Sequence, residues 1–350
     1  SDLQNSQFLE SPVPLREQAW PKSTVPVVSI VCATYNHGHY IEDCICSFLM
    51  QETTFPVEVV IRDDASTDNT SAIIRGYEKR FPSLIRAVFE TENQYSRGVK
   101  PSMILIPKCR GEFIAFCEGD DYWITSKKLQ SQYVAMSRNP SIGLCVHQSA
   151  SVNASGEITD DYVFPEIPRE GDRIGGGEVI KTAGLYATAS YFVRRNTVVP
   201  IPEFFKNVPV GDMFWEILAG LNGALRLGET MSAYRFRSHG SWTKQMQDSP
   251  DRLELLYESL VQSLQEAREF LPRKFRRSLL FKEHLYLRRL SEIKVEQKQR
   301  LRSIFLRFRS FRYGYTIKSE FLYSWSLLGL PKKILFDAKN SLKALMSKLS

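Results

Sequence analysis

An α/β fold, with a mostly parallel sheet flanked by helices and a helical appendage at the C-terminal end, is what this sequence predicts. Three observations predict it. Short β-branched runs alternate with segments of helical period from Val25 to Cys117, several of these runs stop at a polar turn, and from Pro250 onward apolar residues recur in threes and fours. The composition suits a globular chain, because 350 residues with 43% hydrophobic and 24% charged side chains exclude disordered, collagen-like and coiled-coil classes. That length accommodates one large domain or a domain with an appendage.

Residues 1–24 read as an N-terminal extension, and residues 25–249 as the main domain. Val25–Ala33 is an apolar β-branched run, hence a buried strand, and it stops at the turn Thr34-Tyr35-Asn36-His37-Gly38. Helical spacing over Tyr40–Gln51 leads to a second strand, Val57–Arg62, which ends at Asp63-Asp64-Ala65-Ser66-Thr67-Asp68. Asp68 or Thr67 can cap a helix over Asn69–Arg80. Two more strands, Ile85–Phe89 and Glu112–Cys117, are separated by a helix near Ser102–Cys109. Such alternation makes the sheet parallel, and in an open parallel sheet the loops at the carboxyl ends of the strands converge on one crevice. Beyond Ala150 the pattern loosens into a loop around Gly171–Gly177, an apolar segment Tyr186–Val193 and a helix near Asp212–Leu221, read as the rest of the same domain.

Residues 250–350 form a basic, mainly helical region. Leu253, Leu256, Leu260, Leu264 and Ala267 lie on one helical face. Near the end Leu335, Ala338, Leu342, Leu345 and Leu349 line one side of an amphipathic helix with Lys333, Lys343 and Lys348 elsewhere around it. The net charge of +7 conceals a split: residues 1–250 carry 24 Lys and Arg against 29 Asp and Glu, whereas residues 251–350 carry 22 against 10. A basic end of this kind suits an anionic membrane surface, although a solvated helical face explains it as simply. Six cysteines sit in apolar segments without zinc spacing, which argues for reduced, packed thiols. The opening SDLQNSQFLE lacks signal-peptide character, and no apolar stretch reaches the ~20 residues of a spanning helix. The expectation is a cytoplasmic protein, peripheral on the inner face of the cytoplasmic membrane.

The chemistry concentrates in Phe116-Cys117-Glu118-Gly119-Asp120-Asp121-Tyr122-Trp123, where three carboxylates within four residues follow a buried strand. Carboxylates so close repel, and oxygen ligands of this kind suit Mg²⁺ or Mn²⁺, which in turn bridges substrate phosphates. An acidic solvent loop is the plainer interpretation, but Tyr122 and Trp123 are out of place in one. Asp63-Asp64-Ala65-Ser66 taken alone is an ordinary turn; its value lies in opening on the same side of the sheet as Thr34-Tyr35-Asn36 and Glu118–Asp121.

The ordered set Ala33-Thr34-Tyr35-Asn36, Asp63-Asp64-Ala65-Ser66-Thr67-Asp68-Asn69-Thr70 and Glu118-Gly119-Asp120-Asp121 resembles family 2 glycosyltransferases of the GT-A fold, over roughly residues 25–245. The resemblance implies a nucleotide-sugar donor, a UDP-sugar being favoured, with Thr34, Tyr35, Asn36 and Asp63 or Asp64 around the nucleoside. It further implies that Glu118-Gly119-Asp120, with Asp121 adjacent, holds Mn²⁺ or Mg²⁺ against the diphosphate. Two departures are visible: Ala33 replaces the usual proline, and the first acid of the metal motif is Glu118, one methylene longer than Asp. The family's base, on a later helix, corresponds to Asp212 in Val210-Gly211-Asp212-Met213-Phe214-Trp215; without the resemblance Asp212 is an ordinary helix cap. Tyr234-Arg235 and the following loop resemble a segment that contacts diphosphate or acceptor, which adds Arg235 and Arg237 and makes His239 a candidate cation ligand. Lys127, Lys128 and Arg97 read as surface charges, and His37 and His39, in the first loop where they can face the donor, lack acidic partners and make a poor base assembly.

The reaction expected is an inverting transfer to a hydroxyl of a glycan or lipid-linked acceptor, in the assembly of bacterial surface polysaccharide. The rivals are a catalytically idle sugar-nucleotide or anionic-polymer binder, and a nucleotidyltransferase or retaining glycosyltransferase. No G-x-x-x-x-G-K loop supports a nucleotidyltransferase, and nucleic acid is not the expected partner.

Overall fold

The computed structural model describes residues 8–160, 164–236 and 249–296, together with 299, 302, 303 and 306. The chain divides into two compact units, residues 1–248 and residues 249–350.

In the first unit a two-residue strand β1 (Val13–Pro14) pairs antiparallel with β3 (Glu52–Thr53) in a small ribbon. The main sheet begins with β2 (Val28–Thr34), α1 (Ile41–Leu49), β4 (Val57–Asp63), α2 (Thr70–Arg80) and β5 (Ile85–Phe89). There follow α3 (Pro101–Leu105) with a 3-10 turn at Ile106–Lys108, β6 (Phe113–Phe116), β7 (Tyr122–Trp123), α4 (Lys128–Ser137) and β8 (Leu144–Val152). The unit continues through β9 (Asp172–Ile174), α5 (Gly176–Thr182), β10 (Phe192–Arg194), α6 (Gly211–Ala219) and β11 (Ala224–Arg235).

The strand order is β5-β4-β2-β6-β10-β8-β11-β7, with β9 beside β11. The expected parallel half is β5-β4-β2-β6, in a register that sets Thr34 opposite Asp63 and Val31 opposite Phe116. β10 then runs antiparallel between β6 and β8, which mixes the second half of the sheet. All seven residues of β4 are buried, as expected of a parallel strand covered on both faces. Val28, Ile30 and Cys32 of β2, Val59 and Ile61 of β4 and Phe113 of β6 share one core cluster with Ile41, Ile45 and Phe48 of α1. Each such side chain contributes about 1.5–3 kcal/mol by leaving water, so the strands that carry the polar turns are the best anchored in the fold.

Several elements differ from the sequence reading. The Gly171–Gly177 segment contributes β9 and the first turn of α5, and Tyr186–Val193 is a buried 3-10 turn followed by a short strand. α4, β8 and β11 have no strong period of their own, because each is buried by neighbours distant in sequence. Five of the six cysteines are buried and all are free; Cys46 is exposed. Lys128, read as a surface charge, is fully buried.

In the second unit Ser249 caps α7 (Pro250–Phe270) by accepting the Arg252 N–H at 3.4 Å, and α8 (Arg276–Glu296) follows. Of the expected apolar face of α7, Leu260, Leu264 and Ala267 are buried, together with Val261 and Ser263, whereas Leu253 and Leu256 are half-buried. The expected amphipathic segment at residues 333–349 lies outside the described residues. Among the described residues no helix is long and apolar enough to cross a membrane.

Candidate active site

A cleft of about 380 Å³ opens at the carboxyl ends of β2, β4 and β6. Thr34, Tyr35, Asp64, Glu118, Asp120, Asp212 and Arg235 all line it, whereas Asn36, Asp63 and Asp121 stand behind its walls. A larger hollow, about 570 Å³, lies against α4 and the middle of β11 and contains none of these acids.

The first wall is braced from within. Asn36 adopts φ +55°, a left-handed conformation that Asn tolerates better than most residues; its N–H donates to Ser66 Oγ at 2.8 Å and its Oδ1 accepts the Thr67 N–H at 2.8 Å. Asp63 accepts from the Ser66 amide at 3.3 Å and from the hydroxyls of Ser66 and Ser71. Asp68 accepts the Gly38 N–H at 2.9 Å. Both oxygens of Asp64 are engaged: Oδ1 accepts from Arg62 at 2.6 Å and from the Gln94 N–H at 2.8 Å, and Oδ2 accepts the Tyr95 N–H at 2.9 Å. Arg62 is completely buried and also donates to Glu90 at 3.0 Å. The second polar motif therefore ties the loops together, and through Asp64 it sets Tyr95, 49% exposed, at the cleft that Tyr35 also lines.

The acidic turn has a different clasp. Arg235, 3% exposed, donates from Nε to the Asp120 carbonyl at 2.9 Å, from a terminal nitrogen to the Ala154 carbonyl at 3.0 Å and from the other to Asp43 at 3.3 Å. Its guanidinium lies 4.6 Å from the Tyr40 ring centre and 5.2 Å from that of Tyr122. The Arg235 amide donates to Asp121 Oδ1 at 2.8 Å, so Asp121 faces the end of β11. Burial, together with Asp120 and Glu118 nearby, holds its pKa well above the usual carboxylate range. Glu118 is accessible but deep in the cleft; the surrounding protein thins its hydration, and the charges of Asp120 and Asp212 add to that effect, pushing its pKa up to about 8. Glu118, Asp120 and Asp212 line one cavity. Gly119 allows this, since a Cβ there would stand 2.7 Å from Thr34 Cβ.

The opposite wall is the start of α6. Asp212 sits in its first turn, where the N-terminal amides favour negative charge; Oδ1 accepts the Met213 N–H at 2.8 Å and Oδ2 the Thr188 hydroxyl at 3.3 Å. Burial raises its pKa, while those two hydrogen bonds oppose the rise. One turn on, Glu216 accepts from the Gly184 amide and the Tyr191 hydroxyl, each at 2.8 Å, pinning the helix to the segment that supplies Thr188.

Sequence reasoning missed three cleft residues. Lys100 borders the cavity, its amine donating to the Lys206 carbonyl at 2.8 Å, and burial lowers its pKa. Tyr95 gave no signal beyond being aromatic. His37, dismissed for want of an acidic partner, lies 4.0 Å from Asp120, a pairing that a separation of 83 positions in the chain conceals. Arg97 is spent on Glu92, and Arg237 and His239 lie outside the described residues. Among the described residues no three His, Cys, Asp or Glu side chains group closely enough to hold a metal ion alone.

Residues 29–195 match the model of glycosyl transferase family 2. The uncharacterized protein Rv1520 of Mycobacterium tuberculosis is 33% identical over 217 residues, 61% of this chain and 60% of that protein, so the chain spans about three-fifths of the length of such relatives. The putative teichuronic acid biosynthesis glycosyltransferase TuaG of Bacillus subtilis is 35% identical over 107 residues, 31% of this chain and 40% of its own. Among solved structures, S. aureus TarS 1-349 in complex with UDP-GlcNAc superposes with a TM-score of 0.53 at 16% identity, covering 86% of this chain and 92% of that one. The mannosyltransferase PcManGT of Pyrobaculum calidifontis, in complex with GDP-Man and Mn²⁺, gives 0.54 at 16% identity, covering 91% and 86%. These likenesses show the fold, which is that of the GT-A glycosyltransferases.

Proposed function

We propose, from the match of residues 29–195 to the model of glycosyl transferase family 2, that the chain transfers a sugar from a nucleoside-diphosphate donor to a hydroxyl of a glycan or lipid-linked acceptor, with inversion. The observation that supports this most is that Asp212 lines the same cleft as Glu118 and Asp120.

Asp212 takes the proton from the acceptor hydroxyl. The oxygen so freed forms a bond to the anomeric carbon as the bond to the diphosphate oxygen breaks on the opposite face, and the nucleoside diphosphate leaves with that electron pair. Thr188 and the Met213 amide keep the Asp212 carboxylate pointed and ionised against its burial. Tyr35 and Tyr95 offer aromatic faces to the nucleoside and the sugars, with Thr34 beside them; Asn36, Asp63 and Asp64 act by fixing that wall. The Asp120 carboxylate, exposed to the cleft on a turn clasped by Arg235, fits a divalent cation, with Asp121 supporting it from behind. Mn²⁺ or Mg²⁺ bound there would neutralise charge on the departing diphosphate. A UDP-sugar is the favoured donor, and surface-polysaccharide assembly the favoured setting, because relatives such as TuaG are named for it. The basic residues 251–350 are suited to hold the enzyme at an anionic membrane surface.

The test is a screen of nucleotide sugars for thermal stabilisation with and without Mn²⁺, followed by transfer assays with the donor so found. Asp212→Asn should bind that donor as the wild type does and lose roughly 10²–10⁴-fold in transfer rate. Undiminished transfer by that variant would exclude Asp212 as the base. In the wild type the acid limb of the pH profile should lie above the ordinary carboxylate value, because burial raises the Asp212 pKa.

A further inference from the structure

We infer that His37 is a protein ligand of the donor-bridging cation, beside Asp120, an inference that rests on the donor-site reading above. Asp121, next to Asp120 in sequence, spends Oδ1 on the Arg235 amide, and although its buried Oδ2 has no partner among the described residues, the residue does not line the cleft. The cation site needs another donor atom. His37 Nε2 is 4.0 Å from Asp120 Oδ2, too long for a hydrogen bond. Two ligands on one ion at ~2.0–2.2 Å lie between about 3 and 4.4 Å apart, so this gap is one an ion spans. Both side chains are largely enclosed, 19% and 16% exposed, and both line the cleft.

The ring is packed on one side and leaves its second nitrogen open. His37 carries its side chain from the turn that starts α1, where its carbonyl accepts the Tyr40 and Ile41 amides at 2.8 Å, and the ring meets the Tyr40 ring at 62°. Nδ1 is buried and without a partner among the described residues, as is Thr34 Oγ1. Both flank Gly119: a Cβ there would stand 2.7 Å from Thr34 Oγ1 and 3.0 Å from His37 Nδ1. A histidine that binds through Nε2 keeps its proton on Nδ1 and gives it to a neighbouring oxygen, and the Thr34 hydroxyl is the oxygen at hand.

The experiment uses the full chain with Mn²⁺, alone and with UDP, read by electron paramagnetic resonance. In the wild type the bound Mn²⁺ should show electron spin echo modulation from a directly coordinated nitrogen. His37→Gln should abolish that modulation and weaken Mn²⁺ binding roughly tenfold or more, while His239→Gln leaves the modulation intact. His37→Asn serves should the Gln variant unfold, metal-free melting being the check on both. Modulation that persists without His37, or Mn²⁺ bound by the wild type with no coordinated nitrogen, overturns the inference. Absence of any Mn²⁺ binding with UDP overturns it together with the cation's part in the proposed reaction, but leaves the Asp212 assignment to stand or fall on transfer rates alone.

Discussion

Arg235 and Asp64 show how a residue in a functional motif can act by building the site. Each was expected to touch the donor, and each has its polar atoms committed to protein partners: Arg235 to the acidic turn and the Ala154 carbonyl, Asp64 to Arg62 and the amides that precede Tyr95. A lysine at position 235 keeps the charge but cannot span three directions at once. Arg235→Lys should therefore leave buried acceptors unpaired and cost about 3 kcal/mol, a fall of roughly 6 °C in melting temperature for a unit of this size. Donor-dependent stabilisation should fall with it. A variant that melts with the wild type would show that the clasp carries no stability.

At the scale of elements, α4 carries a conflict that its weak amphipathicity hides. Lys128 is buried beneath the sheet, donating to Gln132 at 2.7 Å and lying 4.2 Å from the Trp123 ring centre, and burial brings its pKa from 10.5 down to about 7. Between those two values the unfolded chain holds the proton that the folded chain has released. This contribution to stability therefore rises with pH through that window and is least at and below pH 7. Lys128→Met removes the slope. Compared with the wild type, the variant should gain at least roughly 3 °C in melting temperature on going from pH 9.5 to pH 7, which thermal melts across that range will show. A constant difference would mean that the amine titrates as it does in water.

At the scale of the whole molecule, the charge division between the two units is the dominant feature: the acidic residues that build the cleft lie in one unit, and the excess of Lys and Arg lies beyond residue 250. Basic residues near an anionic leaflet contribute about 1 kcal/mol each, so full-length protein should float with liposomes containing anionic lipid and release as salt is raised. A form ending near Pro250 should stay in the soluble fraction. Equal flotation of the two forms, or of neither, counts against a membrane role for the basic region.

By itself the sequence determined the parallel strands β2, β4, β5 and β6, their terminal turns and the helical start of the second unit, because local signals suffice there: β-branched runs buried on both faces, turn residues at their ends, and a regular helical period from Pro250. It also showed the resemblance to family 2 glycosyltransferases and proposed the set of acids, since motif order survives without coordinates. Only the tertiary structure decided which of those residues face the cleft. Asp120 and Asp121 are neighbours that differ because β11 arrives to claim one of them, the Arg235 amide donating to Asp121, while Asp120 lines the cleft. His37 gains its acidic neighbour, Lys128 its burial, and β8 and β11 their places in the sheet from contacts between positions far apart in the chain, which no local pattern of period or composition encodes.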